Sequence, residues 1–142
     1  MDELSATIAE KVRASFAKQS FMASAGAQLD VVDSGKVVIS APVLDGFKQQ
    51  HGYSHAGLIF SLGDSAAGYA ALSVMPEDME VLTVEMKINL LSPGQGHLTA
   101  EGRVLKAGKR LVVVASEVWG EGQDGKRTLV ASLQGTMIPV SL

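Results

Sequence analysis

Residues 55 to 75, HAGLIFSLGDSAAGYAALSVM, constrain the 142-residue chain more than any other stretch. They are apolar on every side, and Pro76 follows them. They read as one long helix that starts near Ser54 and runs to about Met75. A helix without a polar face must be enclosed by other elements. The stretch approaches the length that spans a bilayer, yet it contains His55, Asp64, three serines and three glycines, and no Lys/Arg clamp flanks it. A buried central helix of a soluble fold is therefore expected, with no membrane partner.

The rest of the chain supplies the enclosure. Leu4, Ile8, Val12 and Phe16 recur every four residues with charges between them, which predicts an N-terminal helix within residues 1–20. AQLDVV and KVVISAPV flank the turn residues Asp33-Ser34-Gly35, a hairpin signal. Beyond the central helix, VLTVEMKINLL alternates strictly. Val84, Met86, Ile88 and Leu90 fall on one face and Thr83, Glu85, Lys87 and Asn89 on the other. HLTAEGRVLKAG, RLVVVASEVWG and RTLVASLQGTMIPV follow as strands, separated by SPGQG, AGKR and GEGQDGK. The short turns predict an antiparallel meander of these last four strands. The expectation is a single α+β domain over 1–142, its sheet wrapped around one helix.

Composition removes several function classes. Apolar residues make up 46% and charged residues 19%, a globular balance. A net charge of −3 without a basic block argues against nucleic acid as a partner. The absence of cysteine excludes disulfides and thiolate chemistry. MDELSATIAEKVRASF mixes acids and bases and has no signal-peptide core, so a cytoplasmic location is expected. No G-x-S-x-G, G-x-G-x-x-G or P-loop occurs, and His51 and His55 have no third ligand near them in sequence. No metal and no cofactor are expected.

Asp64 is the residue that asks for an explanation. It is either a carboxylate turned to solvent or a base or nucleophile in a mostly apolar pocket. Ser54 is an acceptable N-cap, which would leave the amides of His55, Ala56 and Gly57 as the first turn. Those amides form either an ordinary glycine-rich helix entry or an oxyanion site at the positive end of the helix dipole. His55 and Asp64 are nine residues apart. That spacing puts them on opposite helix faces with a rise of roughly 13 Å. One carbonyl cannot touch both on the same helix, so their cooperation requires two chains, as in a two-fold dimer. Thr83 is a polar-face threonine or a hydroxyl that holds water or the carboxylate. Gln49 and Gln50 are loop residues or donors to a substrate carbonyl. Lys106, Lys109 and Arg110 are a solvated hairpin or a contact for phosphates.

Three blocks, HGYSHAGLIFSLGDSAAGYAA, LTVEMKINLLSPG and GRVLKAGKRLVVVASEVW, resemble in order those of the hotdog-fold thioesterases of the PaaI type. The resemblance covers nearly all of the chain from about residue 20. It implies a long helix wrapped by an antiparallel sheet, and an acyl-CoA or aryl-acyl-CoA substrate. It also implies a homodimer, often paired into a homotetramer, with active sites across the dimer interface. Carried over by position, Asp64 would activate water or attack the thioester, and Ala56, next to Gly57, would supply the oxyanion amide. Thr83 would sit beside the water, and Gln49 would contact the thioester carbonyl. His55 matches the motif histidine. The usual His-Gly-Gly reads His55-Ala56-Gly57 here, and Gln49 stands where many members have Asn. The leading expectation is thus an acyl-CoA thioesterase. A non-catalytic acyl-CoA-binding module is the alternative, and a hydratase, which needs a His partner for Asp64, ranks behind both.

Overall fold

The computed structural model describes residues 3–142. The elements in chain order are α1 (Ala6–Ala17), α2 (Ser20–Ser24), β1 (Gln28–Asp33), β2 (Lys36–Pro42), α3 (Ala56–Leu72), β3 (Glu80–Leu90), β4 (His97–Ala107), β5 (Val112–Glu121) and β6 (Arg127–Val140). A single 3₁₀ turn, Asp45–Phe47, precedes α3. The N-terminal segment is two helices rather than one, and residues 1 and 2 lie outside the described residues.

All six strands join one antiparallel sheet in the order β1-β2-β4-β5-β6-β3. Only β4, β5 and β6 form a meander; β3 leaves it and occupies the sheet edge beside β6. The connection Leu91–Gly96 makes this possible. Six extended residues reach about 20 Å, enough to cross three strand spacings of about 4.8 Å. On its way the connection passes the start of α3, where Gly94 O accepts from Ser54 N at 2.8 Å.

β3 corrects a second expectation. Thr83 pairs with Met137 and Glu85 with Thr136, so Val84 is an extra, bulged residue. The bulge shifts the phase of the strand. Val81 and, past the bulge, Met86 and Ile88 pack toward the core, while Glu85, Lys87 and Asn89 line a groove on the outer face. Thr83 turns inward toward α3 instead of sharing the Glu85 face.

The sheet curls around α3, from which Leu58, Leu62, Ala66, Ala70 and Leu72 meet Ile39, Leu98, Val114, Val118, Leu133 and Met137. Contact is closest at Gly102 on β4, where an added Cβ would lie 2.3 Å from the Ala66 carbonyl carbon. Only glycine admits that approach. The helix ends at Leu72, earlier than Met75. The Ser73 hydroxyl donates to Ala70 O at 2.6 Å and accepts from Gly35 N at 2.7 Å in the β1–β2 turn. Lys11 of α1 donates to the carbonyls of Glu77 and Met79, pinning α1 to the connection that leads into β3.

Candidate active site

The helix start is built differently from the simplest reading of its sequence. His55, not Ser54, is the N-cap of α3, and its Nδ1 accepts from Gly57 N at 2.8 Å. Ser54 is 5% exposed and its hydroxyl donates to His55 O at 3.1 Å, away from the first-turn amides. Leu58 N donates to His55 O at 3.1 Å. The Gly57 amide is thus committed to the cap. The Ala56 amide donates to no group among the described residues.

Ala56 opens onto a cavity of 400 Å³ that Gln49, Tyr53, Ile59, Leu90 and Leu91 also line. The Gln49 Oε1 accepts from His51 N at 2.6 Å and Tyr53 N at 3.1 Å, which fixes the side chain and leaves its NH₂ as the group available to a ligand. Gln50 is exposed and lines no part of this cavity.

Asp64 lies in a separate cavity with Ser15, Gln19, Gly68, Tyr69, Val81 and Thr83. The Thr83 hydroxyl donates to Asp64 Oδ1 at 2.9 Å, and Met137 Sδ lies 3.2 Å from the same hydroxyl. The single hydroxyl proton goes to the carboxylate, the stronger acceptor, whenever Asp64 is charged. Burial pushes the Asp64 carboxyl above the ordinary aspartate range, and the Thr83 bond partly offsets that rise. A carboxylate in this state is a better base than a solvated one.

The two cavities share no lining residue, but each holds one end of β3: Leu90 at the Ala56 cavity, Val81 and Thr83 at the Asp64 cavity. Lys106, Lys109 and Arg110 are exposed around the β4–β5 turn and line neither cavity. No group of three or more His, Asp or Glu among the described residues could hold a metal. No helix among them is long and apolar enough to cross a membrane. Sequence reasoning missed Ser15, Gln19 and Tyr69. Tyr69 carries the one polar-tipped aromatic ring in the central helix, and that was the available signal.

The profile of the thioesterase superfamily matches residues 51–126, a segment that runs from the loop before α3 through β5. The chain belongs to that superfamily. A solved thioesterase family protein from Silicibacter pomeroyi is 38% identical, with a TM-score of 0.90 over 95% of this chain and 99% of that one. The E. coli PaaI protein of the phenylacetic acid degradation operon is 26% identical, with a TM-score of 0.83 over 97% of this chain and 96% of that one. The fold is accordingly the hotdog fold of the PaaI-type thioesterases. A Saccharolobus solfataricus protein bearing the designation esterase is 38% identical over 67% of this chain. The chain spans 66% of that relative's length, just under two thirds.

Proposed function

We propose that the chain hydrolyses the thioester of an acyl- or aryl-acyl-CoA to the free acid and CoA, in a site shared by two copies. The observation that carries this reading is the division of chemistry between two cavities at opposite ends of one edge strand. The uncommitted Ala56 amide and the Gln49 NH₂ can polarise a carbonyl at one end. The Asp64–Thr83 pair can activate water or attack the carbonyl at the other. About 12 Å of helix rise separates Ala56 from Asp64, too far for one carbonyl.

The edge itself supports a second copy as the occupant. β3 is eleven residues long, has no strand beyond it among the described residues, and exposes Leu82 (47%), Val84 (56%) and Leu90 (52%). A long apolar edge of this kind calls for a cover. A two-fold copy paired antiparallel along it brings the Leu90 end of one β3 to the Thr83 end of the other. The Ala56 cavity of one copy then faces Asp64 of its partner, twice per dimer.

In the general-base form, Asp64 takes a proton from water, the oxygen attacks the carbonyl, and the Ala56 and Gln49 donors hold the oxyanion. The C–S bond then breaks and CoA leaves as a thiolate, a good leaving group that needs little help. In the nucleophilic form, Asp64 itself attacks, and water opens the resulting anhydride. Single turnover in ¹⁸O-water separates the two, because only the anhydride route can leave label in the Asp64 carboxyl. Lys106, Lys109 and Arg110 are assigned to the CoA phosphates, and pairing of two dimers into a tetramer is part of the same proposal.

The decisive experiment mixes two inactive variants. Asp64→Asn and Ala56→Pro each lose turnover as homodimers. Random reassociation makes half the dimers mixed, each with one intact site, and restores about a quarter of wild-type thiol release. No restoration in mixtures shown to exchange subunits refutes the shared site. Acyl-CoA binding by wild type without any thiol release refutes the hydrolase.

A further inference from the structure

The Asp64 cavity has an end wall that the proposed chemistry does not use. Past Asp64, α3 presents Gly68 and then Tyr69 to this space. A Cβ at Gly68 would meet only Met137 Cε, at 3.7 Å, so this step of the helix leaves room instead of filling it. Tyr69 closes the room. It is 5% exposed, and its ring packs edge-on against Phe16 of α1 with centroids 6.4 Å apart. Its hydroxyl accepts from Gln19 Nε2 at 2.7 Å and shares a proton with Ser15 Oγ at 3.0 Å. Ring contact and two hydrogen bonds hold it from one direction, and Lys11 anchors α1 behind it.

The part of a substrate that enters here is the uncharged acyl group. Asp64 and Glu80 line the cavity and no lysine or arginine does; Lys11 lies 3.8 Å from Glu80 Oε1 but is engaged by the Glu77 and Met79 carbonyls, so nothing in the lining attracts phosphates and Asp64 disfavours them. Its volume of 400 Å³ lies toward the small end of ligand pockets, which run from about 300 to 1,000 Å³. A longer chain would have to push methylenes between Tyr69, Ser15 and Gln19, leaving their polar groups without partners.

We propose that Tyr69, clamped by Phe16, Ser15 and Gln19, is the stop that limits the length of the acyl group in this site. The inference rests on the thioester-hydrolase reading and adds a specificity determinant supplied jointly by the central and N-terminal helices. It acts on the distal end of the acyl group, away from the reacting carbon, so it changes substrate choice more than chemistry.

The test is kcat/KM for straight-chain acyl-CoAs from acetyl to palmitoyl. Wild type is expected to fall off steeply as the chain lengthens. Tyr69→Ala should raise the ratio of long-chain to short-chain kcat/KM by about tenfold or more, while acetyl-CoA turnover stays within a few-fold. Tyr69→Phe keeps the ring against Phe16 but loses both hydroxyl bonds, and should relax the cut-off less than Tyr69→Ala does. A Tyr69→Ala profile parallel to wild type, whether unchanged or uniformly reduced, overturns the stop. Tyr69→Leu keeps an apolar body in the core and serves the same comparison if the alanine variant does not fold; a parallel profile there is equally fatal. If wild type releases no thiol from any of the series, nor from aryl-acyl-CoAs assayed beside it, the hydrolase reading falls. The stop is then judged by calorimetric binding of the same acyl-CoAs, where an unchanged length dependence in Tyr69→Leu overturns it.

Discussion

Ala56→Pro deletes one backbone N–H and little else. Proline is well accepted at the first position of a helix, where the missing N–H has no partner in the helix ladder. Ala56 holds that position, and its amide is uncommitted among the described residues. The preceding residue must be extended, and His55 already has φ −62° and ψ 141°. The helix should therefore keep its cap and its stability, with a change within about 0.5 kcal/mol. Catalysis should not survive as well. Removing one oxyanion donor lowers kcat by about 10²–10³. The Gln49 NH₂ lies in the same cavity and can still donate, so the loss should be near the lower figure, about 2.7 kcal/mol of transition-state stabilisation. KM should barely move, because the bond strengthens as charge develops on oxygen. Thiol release from a good acyl-CoA substrate measures kcat and KM, and thermal melting checks the fold. Ala56→Ser, which keeps the N–H, is the control and should stay near wild type. A folded Ala56→Pro enzyme with nearly wild-type kcat refutes the role of the helix-start amide.

Thr83→Val removes the donor that favours charged Asp64, so the acid limb of the pH–rate profile should move to higher pH; an unmoved limb, or one displaced downward, contradicts the pairing. Asp64→Asn should abolish turnover and raise the melting temperature at neutral pH. The raised carboxyl pKa means that Asp64's contribution to stability is complete below the ordinary aspartate value, about 3.9, and is lost as pH rises through the folded value. The gain from asparagine should thus fade in acid, and melting curves from pH 3 to 8 check the sign. Gly102→Ala drives a methyl into the Ala66 backbone and should cost about 1–3 kcal/mol, seen as a fall of several degrees in Tm. Val84→Lys places a charge on the open edge and should give a folded monomer by sedimentation, with thiol release lost.

The central helix was legible because seventeen residues without a polar face, followed by proline, leave little else to form. The β1–β2 hairpin was legible from its turn residues. The position of β3 was not, because alternation shows that a segment is a strand and not which neighbour it takes. The route through Leu91–Gly96 decided that. The bulge at Val84 escaped for a related reason: VLTVEMKINLL alternates in sequence on both sides of it, so nothing local marks the extra residue. Asp64, Thr83, Ala56 and Gln49 could all be singled out from residue type and spacing. The bond between Asp64 and Thr83 could not, since the phase of β3 without its bulge points Thr83 away from the helix. The cap at His55 was hidden by a better-ranked neighbour, Ser54. The grip of Ser15 and Gln19 on Tyr69 joins residues at least fifty positions apart, beyond any periodic signal.

The bulged residue Val84 also bears on how such a site can be gained or lost. Upstream of it, one parity of the chain faces the helix; downstream, the other does. Deleting that one codon would leave a strand able to pair along its whole length, with its apolar and polar residues in regular order. Thr83 would stay on the helix side, because it pairs with Met137 while Glu85 pairs with Thr136; a strand that kept Val84 but flattened the bulge would instead carry Thr83 outward and Leu82 inward. A scan of substitutions at Thr83 or Asp64 samples side chains at a fixed orientation and never meets this outcome. For this strand, it is the presence of the bulge, more than the identity of the residue in it, that keeps Thr83 on the helix side of the sheet.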